Sequence, residues 1–221
     1  NQLEPFPPRA LYAALWLFIA AFGCGGCGAA SGAFATRYPD NVESSLQGMI
    51  ARAQAGARRV VPSVAAGVTP DGKLYGYDLA AKRVLWEVPG RPRFAPLLAG
   101  DTVVIQEGER VVGLDIKSGS PRFQFDAADM HLVGADGVGV NAVITLTSGA
   151  GTYARSRVVF MQGSARTWTH VLASPVGVPA LAGDVALVPW NNQYLSGLDA
   201  QSGDELARLR VREGVISHAI V

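Results

Sequence analysis

The side chains able to do acid–base or metal chemistry are sparse in this 221-residue chain, and three aspartates stand out because they share one setting. They are Gly76-Tyr77-Asp78-Leu79, Gly113-Leu114-Asp115-Ile116 and Gly197-Leu198-Asp199-Ala200. A carboxylate can serve as a general base or hold a hard cation. Each of these, however, closes an apolar strand and opens a turn. There a short acidic side chain accepts hydrogen bonds from turn amides, and a nearby glycine permits positive φ. Asp115 with Gly119, and Asp199 with Gly203, satisfy that arrangement; Asp78 is followed by Ala80-Ala81-Lys82-Arg83 and lacks the glycine. The five residues Asp78, Asp115, Gly119, Asp199 and Gly203 are therefore read as structural turn residues.

Other chemistries find less support. His131, His170 and His218 share no repeat phase, and none forms a His-x-x-x-His pair, so they read as solvated or core histidines. There is no Gly-x-Ser-x-Gly elbow and no phosphate-cradling loop ahead of a helix; Gly134, Gly137 and Gly139 are expected between short strands, on turn duty. No catalytic, cofactor or metal residue is assigned from these patterns.

The two cysteines, Cys24 and Cys27, follow an apolar run. Arg9 precedes Ala10 to Phe22, thirteen apolar residues that lead into Gly23-Cys24-Gly25-Gly26-Cys27-Gly28. Thirteen helical residues reach about 20 Å, short of the ~30 Å hydrocarbon core. The run reads as the hydrophobic region of a signal peptide. Ala21-Phe22-Gly23-Cys24 resembles a bacterial lipobox, which makes Cys24 the candidate lipidation site, although Phe22 is bulkier than usual and Ala21 stands where leucine is commonest. A Cys24–Cys27 disulfide, an uncleaved anchor or half of a metal knuckle remain open; a four-cysteine zinc site within one subunit is excluded. The absent initiator Met and acidic Glu4 lead us to expect that the natural start lies elsewhere.

Composition describes the elements that must carry these residues. The chain is 49% hydrophobic and 17% charged, enough for a sizeable core, and Gly 26 with Pro 13 suits a turn-dense all-β protein. Nineteen basic against 18 acidic residues leave a net charge of +1 and no footprint for a nucleic-acid backbone. The aspartate motif returns after 37 and then 84 residues, the second close to twice a period of about 42. Pro96-Leu97-Leu98-Ala99-Gly100-Asp101 recurs in the same phase as Pro179-Ala180-Leu181-Ala182-Gly183-Asp184. Such a period, with several short strands per unit, predicts a β-propeller of four-stranded antiparallel blades.

The chain divides accordingly. Residues 1–28 are expected to be the signal segment and 29–62 a tether with one short helix, in which Val42, Leu46, Met49, Ile50 and Ala53 recur at helical spacing behind Asn41. That helix either docks a partner or packs on its own propeller. Residues 63–221 read as the propeller, about 3.5 to 4 blades. Val64–Val68, Lys73–Leu79 and Arg83–Val88 form an incomplete first unit. Phe94–Leu98, Thr102–Gln106, Arg110–Asp115 and Pro121–Phe125 form a second, Met130 to Val171 a third without the motif, and Val178–Leu181, Val185–Pro189, Tyr194–Asp199 and Glu205–Val211 a fourth. Gly214–Val221 is expected to open another blade, so the sequence reads as part of a longer propeller; closure of four blades through Val215–Val221 is the alternative. Trp86, Phe123 and Leu206 are expected as equivalent fillers between blades.

Tyr77-Asp78-Leu79…Val84-Leu85-Trp86, Leu114-Asp115-Ile116-Lys117-Ser118-Gly119…Phe123 and Leu198-Asp199-Ala200-Gln201-Ser202-Gly203…Leu206 resemble the repeat of pyrroloquinoline-quinone-like (PQQ-like) propellers, Ala-Leu-Asp-x-x-Thr-Gly-x-x-x-Trp, over residues 60 to 221. The resemblance implies one of several branches: quinone-dependent dehydrogenases, BamB-type lipoproteins of the outer-membrane barrel-assembly machinery, or sensor parts of kinases. The dehydrogenase branch would imply a cofactor between a tryptophan and a vicinal Cys-Cys disulfide, a bound calcium and an Asp base. No cysteine follows Cys27, and Trp86, Trp168 and Trp190 are expected to pack blades. The expectation is a non-catalytic scaffold without cofactor, exported, lipid-anchored at the outer membrane facing the periplasm, with other envelope proteins as partners. A dehydrogenase or sensor fragment is the alternative.

Overall fold

Four small antiparallel sheets follow one another along the chain in the computed structural model, which describes residues 34, 42–56, 63–211 and 213–221. Helix α1 (Val42–Ala55) comes first. Blade 1 holds β1 (Val64–Val68), β2 (Leu74–Asp78) and β3 (Arg83–Val88). Blade 2 holds β4 (Leu97–Ala99), β5 (Thr102–Glu107), β6 (Arg110–Asp115) and β7 (Pro121–Asp126). Blade 3 holds β8 (His131–Val138), β9 (Asn141–Ser148), β10 (Arg155–Gln162) and β11 (Ala165–Leu172), and blade 4 holds β12 (Ala180–Ala182), β13 (Val185–Trp190), β14 (Tyr194–Asp199) and β15 (Glu205–Arg210). Each sheet is a meander in chain order. The fold is all-β, built of propeller blades.

Strand composition follows from covering both faces of a blade. β5 is buried at five of its six positions, and β9 and β13 are nearly as apolar, because the second strand of a blade lies between two neighbouring blades. The hydrophobic cores accordingly sit between blades. Leu74 and Trp86 meet Val103, Ile105 and Ile116 between blades 1 and 2; Phe123 meets Leu132, Ile144 and Met161 between 2 and 3; Phe160 and Leu172 meet Leu181, Val188 and Leu198 between 3 and 4.

Buried polar side chains tie adjacent blades. Gln106 donates to the Met130 carbonyl (2.9 Å) and accepts from the Leu132 amide (2.7 Å), joining blades 2 and 3. Asp136 accepts from the Leu181 amide (2.9 Å), and Thr145 donates to the Gly177 carbonyl (3.0 Å), joining 3 and 4. Satisfied in this way, a buried polar group avoids the 1–3 kcal/mol typical of an orphaned one and fixes relative placement.

Blades 1, 2 and 4 share one local device. A β-bulge follows the motif glycine in each, at Gly76/Tyr77, Gly113/Leu114 and Gly197/Leu198. The residues opposite those glycines are Trp86, Phe123 and Ala207. Leu206, expected as the third filler, is instead the extra residue of the bulge, which shifts the register by one.

The structure corrects three further expectations. Gly134 and Gly137 lie within β8, not in turns; a methyl at Gly134 would press on Val178 and Pro179 of blade 4, and one at Gly137 on the Asn141 carbonyl of its own hairpin and the Ala99 backbone of blade 2, so close backbone approach explains both. Only Gly139 is in the turn. The strands β4 and β12 are three residues long, because residues 94–96 and 178–179 lead into them without ladder pairing. Residues 214–221 form no strand: Val178 and His218 make a single parallel bridge, supported by Val178 N to Ser217 O (2.8 Å) and Ala219 N to Val178 O (2.9 Å). Cys24 and the expected signal and tether segments lie outside the described residues.

Candidate functional site

The repeat aspartates are placed by the C-terminal ends of β2, β6 and β14, one per blade, so the fold keeps them apart. Asp115 Oδ1 accepts from the amides of Lys117 and Ser118 (both 2.9 Å) and from the Ser118 hydroxyl (3.0 Å). Its Oδ2 pairs with Arg122, whose Nη1 also reaches Thr102 Oγ1 at 3.1 Å. Asp199 Oδ1 accepts from Gln201 (2.7 Å) and Ser202 (2.8 Å), and Asp78 Oδ1 from Ala80 (2.9 Å) and Ala81 (3.0 Å). Gly119 and Gly203 have φ of +70° and +80°; Lys82, at the matching place after Asp78, adopts +52°.

These contacts set the charge state. Burial alone would raise the Asp115 carboxyl, but the Arg122 guanidinium and the Ser118 and Lys117 donors outweigh it and hold the group at about 2. Asp199 is likewise lowered, burial being overcome by the Ser202 amide, Arg52 and the Gln201 amide. A base or cation ligand needs a free lone pair directed into a cleft, whereas here Oδ1 serves a turn and Oδ2 of Asp115 and Asp199 serves an arginine. Among the described residues no group of three His, Cys, Asp or Glu side chains is arranged to hold a metal.

Arg52 shows how α1 joins this system. Its Nη2 lies 2.7 Å from Asp184 Oδ2 and 2.6 Å from Asp199 Oδ2, so a helix supplies blade 4 with the guanidinium that blade 2 draws from its own Arg122. Met49, three residues earlier on α1, covers Gly197, where a methyl would overlap its sulfur, and packs with Val185 and Ala207. α1 thus packs on its own propeller, filling the space that Trp86 and Phe123 fill in blades 1 and 2.

Trp86, Trp168 and Trp190 work between or within blades. Trp86 Nε1 donates to Ile116 O (2.8 Å), Trp168 Nε1 to Ala200 O (2.9 Å) and Trp190 Nε1 to Ser196 Oγ (2.8 Å). Ser196 in turn meets Glu205, which is held by Arg208, their side chains only 2% and 8% exposed. Sequence reading missed this network, because Glu205 and Arg208, three apart in a strand, come to one face only through the bulge at Leu206. The histidines are scattered: His131 lies near Phe94, His170 Nε2 meets Gly203 O (2.8 Å), and His218 Nδ1 meets Ser217 Oγ (2.8 Å).

Described residues line two open clefts. One, of about 590 Å³, runs along β11 and is bounded by Asp126, Arg157 and Arg166; the other, of about 440 Å³, lies between blades 3 and 4 beside Asn141, Gln162, Asp184 and Gln201. The arginines of the first look unrelated in sequence and are brought together by the β10–β11 hairpin. Its exposed, hydroxyl-bearing rim suits a protein or peptide surface more than an enclosed small-molecule site.

Comparison with known proteins agrees with the architecture. No curated protein matches the sequence. The β-propeller domain of Myceliophteria thermophila Cps50 (Swd1) superposes with a TM-score of 0.50 at 14% identity, over 74% of this chain and 56% of that one. A europium-containing methanol dehydrogenase gives 0.51 at 12%, over 68% and 40%. This chain therefore spans about half the length of those two, and the likeness is one of fold. BamB from Moraxella catarrhalis is 16% identical over 72% of this chain and 74% of its own, with a TM-score of 0.28, too low to compare geometry. The family model described as outer membrane protein assembly factor BamB matches residues 43–209, from α1 to β15. With its PQQ-like repeat and four-stranded blades, the chain belongs to that family.

Proposed function

We propose that the protein is a non-catalytic, lipid-anchored propeller scaffold that docks other proteins at the bacterial outer membrane, in the assembly of outer-membrane proteins. The observation that carries this reading is the family match across residues 43–209. The engagement of the repeat carboxylates within their own turns supports it, since their lone pairs serve structure. In this reading residues 1–28 direct export, Cys24 receives the lipid, 29–62 form the tether with α1, and 63–221 present the docking surfaces. Among the described residues no helix is long and apolar enough to cross a membrane.

The test is expression with the native leader, followed by mass spectrometry of the mature amino terminus, membrane fractionation and in-cell crosslinking. Acyl chains on Cys24, co-sedimentation with outer membrane and crosslinks to assembly components are expected. An unmodified peptide spanning Gly23 to Gly28 removes the lipid anchor. Quinone-dependent alcohol oxidation by the purified chain would replace the scaffold with the dehydrogenase branch.

A further inference from the structure

The outer edge of blade 3 differs from those of its neighbours. β11 runs for eight residues, whereas β3, β7 and β15 run for six. Its sequence, Ala-Arg-Thr-Trp-Thr-His-Val-Leu, contains neither the proline nor the lysine that commonly blunts an edge strand, a bulge at Thr167 is the one interruption of its ladder, and Thr167, Thr169 and Val171 are exposed. β11 pairs only with β10, which leaves its other side without a strand among the described residues. The 590 Å³ groove lies beside that edge, against the face toward blade 2, with Asp126 at the end of β7 as its opposite bank. Four consecutive residues, Arg166 to Thr169, line it. By register Arg157, Arg166, Thr169 and Val171 share the face of blade 3 that looks toward Asp126, and Thr167 is the extra residue of a bulge, so the groove runs along that face beside the unpaired edge.

Charge selects the occupant. Arg157 spends one contact on the Asp126 carbonyl (2.8 Å), and Asp126 Oδ1 is engaged by the Ala128 amide (2.7 Å). Arg166, Thr167 and Thr169 make no side-chain hydrogen bond or ion pair among the described residues. Arg157 stands opposite Val171, and Arg166 opposite Met161, which separates the two guanidinium-bearing positions by four steps of ladder along β10, roughly 13 Å. That is the span of a short extended peptide.

We propose that β11 accepts an extended acidic segment of a partner protein as a fifth strand of blade 3, with Arg157 and Arg166 pairing carboxylates toward its two ends. Main-chain ladder bonds would give affinity and the two charge-assisted pairs would set preference. Pairing with a second copy is opposed by charge, since both β11 strands would bring arginines to the seam. The inference rests on the scaffold reading for the existence of a protein partner and names the surface that partner would use.

The test uses the full chain and three synthetic ten-residue probes: glutamate alternating with valine, lysine alternating with valine, and the glutamate peptide carrying a central proline. Hydrogen exchange followed by mass spectrometry reads protection over residues 165–172. The glutamate probe is expected to slow exchange there at least ten-fold, the lysine probe to leave it unchanged, and the proline probe to lose most of the effect. Arg157→Glu with Arg166→Glu should transfer the preference to the lysine probe. Arg166→Glu alone, at an exposed and unpaired side chain, keeps the question decidable if the double variant folds poorly. Equal protection by both charged probes, no protection by the glutamate probe, or protection that appears with protein concentration alone overturns the proposal. Failure here leaves Cys24 acylation and envelope crosslinks untouched, whereas loss of those removes the scaffold reading and leaves the edge site measurable.

Discussion

The indole nitrogen of Trp86 donates to the main-chain carbonyl of Ile116, 2.8 Å away in the next blade. Ile116 directly follows Asp115, and the same relation holds between Trp168 and Ala200, which follows Asp199, at 2.9 Å. A tryptophan on the outer strand of one blade thus clasps the aspartate turn of the next. Blade 2 carries Phe123 at the corresponding place, and blade 3, its neighbour, has no aspartate turn to receive a donor. The aspartate shapes the turn, and the turn presents the carbonyl that the indole finds.

Trp86→Phe keeps most of the packing and removes the donor, leaving a buried carbonyl unpaired. The expected loss is about 1–2 kcal/mol in urea unfolding. Trp86→Ala adds a cavity and should cost about 3–5 kcal/mol. Equal stability of the Phe variant and the parent would show that the clasp contributes shape alone.

Lys82 holds a left-handed conformation, φ +52°, in the turn where Gly119 and Gly203 stand in blades 2 and 4. A side chain in that region costs roughly 1–2 kcal/mol, and glycine gives back about 0.5–1 through unfolded-state entropy. Lys82→Gly should therefore raise stability by up to about 1 kcal/mol. Gly119→Ala runs the other way and meets the Trp86 ring as well, so a loss of at least about 2 kcal/mol is expected. Thermal melts of the pair check both signs.

Asp115 links the fold to pH. Its folded carboxyl sits at about 2, below the unfolded value near 3.9. The stabilisation is therefore complete above about pH 4 and is lost as pH falls through about 2. The pair with Arg122 touches solvent, so its share is held to about 1 kcal/mol. Asp115→Asn should flatten the acid limb of a stability–pH curve between about pH 4 and 2, with little change in its shape near neutrality. An unchanged acid limb would assign the acid sensitivity elsewhere, with Asp199, also lowered, as the next group to replace.

Much of this architecture was legible because its repeat is carried by local chemistry. Gly-x-Asp at a strand end, and apolar runs between Gly-bearing turns, place nearly every strand of blades 1, 2 and 4 before any contact is known. What escaped depends on pairing. The bulges after Gly76, Gly113 and Gly197 are set by the ladder, whereas Ala207, not Leu206, stands eight residues after Asp199 as Trp86 and Phe123 do after Asp78 and Asp115, so that place was already in the spacing. Gly134 and Gly137 read as turn residues because their requirement comes from close backbone approach, by blade 4 at Gly134 and by the Asn141 carbonyl and blade 2 at Gly137. The candidate docking edge was hidden for a related reason: Arg157 and Arg166 share a groove only once β10 and β11 form a hairpin, and scattered arginines in a sequence carry no such information. The reading of α1 as either a partner-docking or a self-packing helix is decided by contacts that lie 132 and 147 residues away in the chain, from Arg52 to Asp184 and Asp199.

That long-range contact yields the last prediction. Met49 covers Gly197 and Arg52 bridges Asp184 and Asp199, so α1 occupies on blade 4 the positions that Trp86 and Phe123 fill from their own sheets. Because it comes from outside the sheet, its loss should be local. Arg52→Ala, or Gly197→Ala, whose methyl would meet the Met49 sulfur, should raise amide exchange over residues 42–55 about ten-fold or more, equivalent to about 1.4 kcal/mol of local opening, while β5 and β9 keep theirs. Gly113→Ala drives Phe123 out of a position within its own sheet, and there the expected result is global destabilisation of about 1–3 kcal/mol. If Arg52→Ala lowered protection in β5 and β9 as strongly as in α1, the helix would be part of the cooperative core, and the distinction between fillers within a sheet and a filler laid on it would fail.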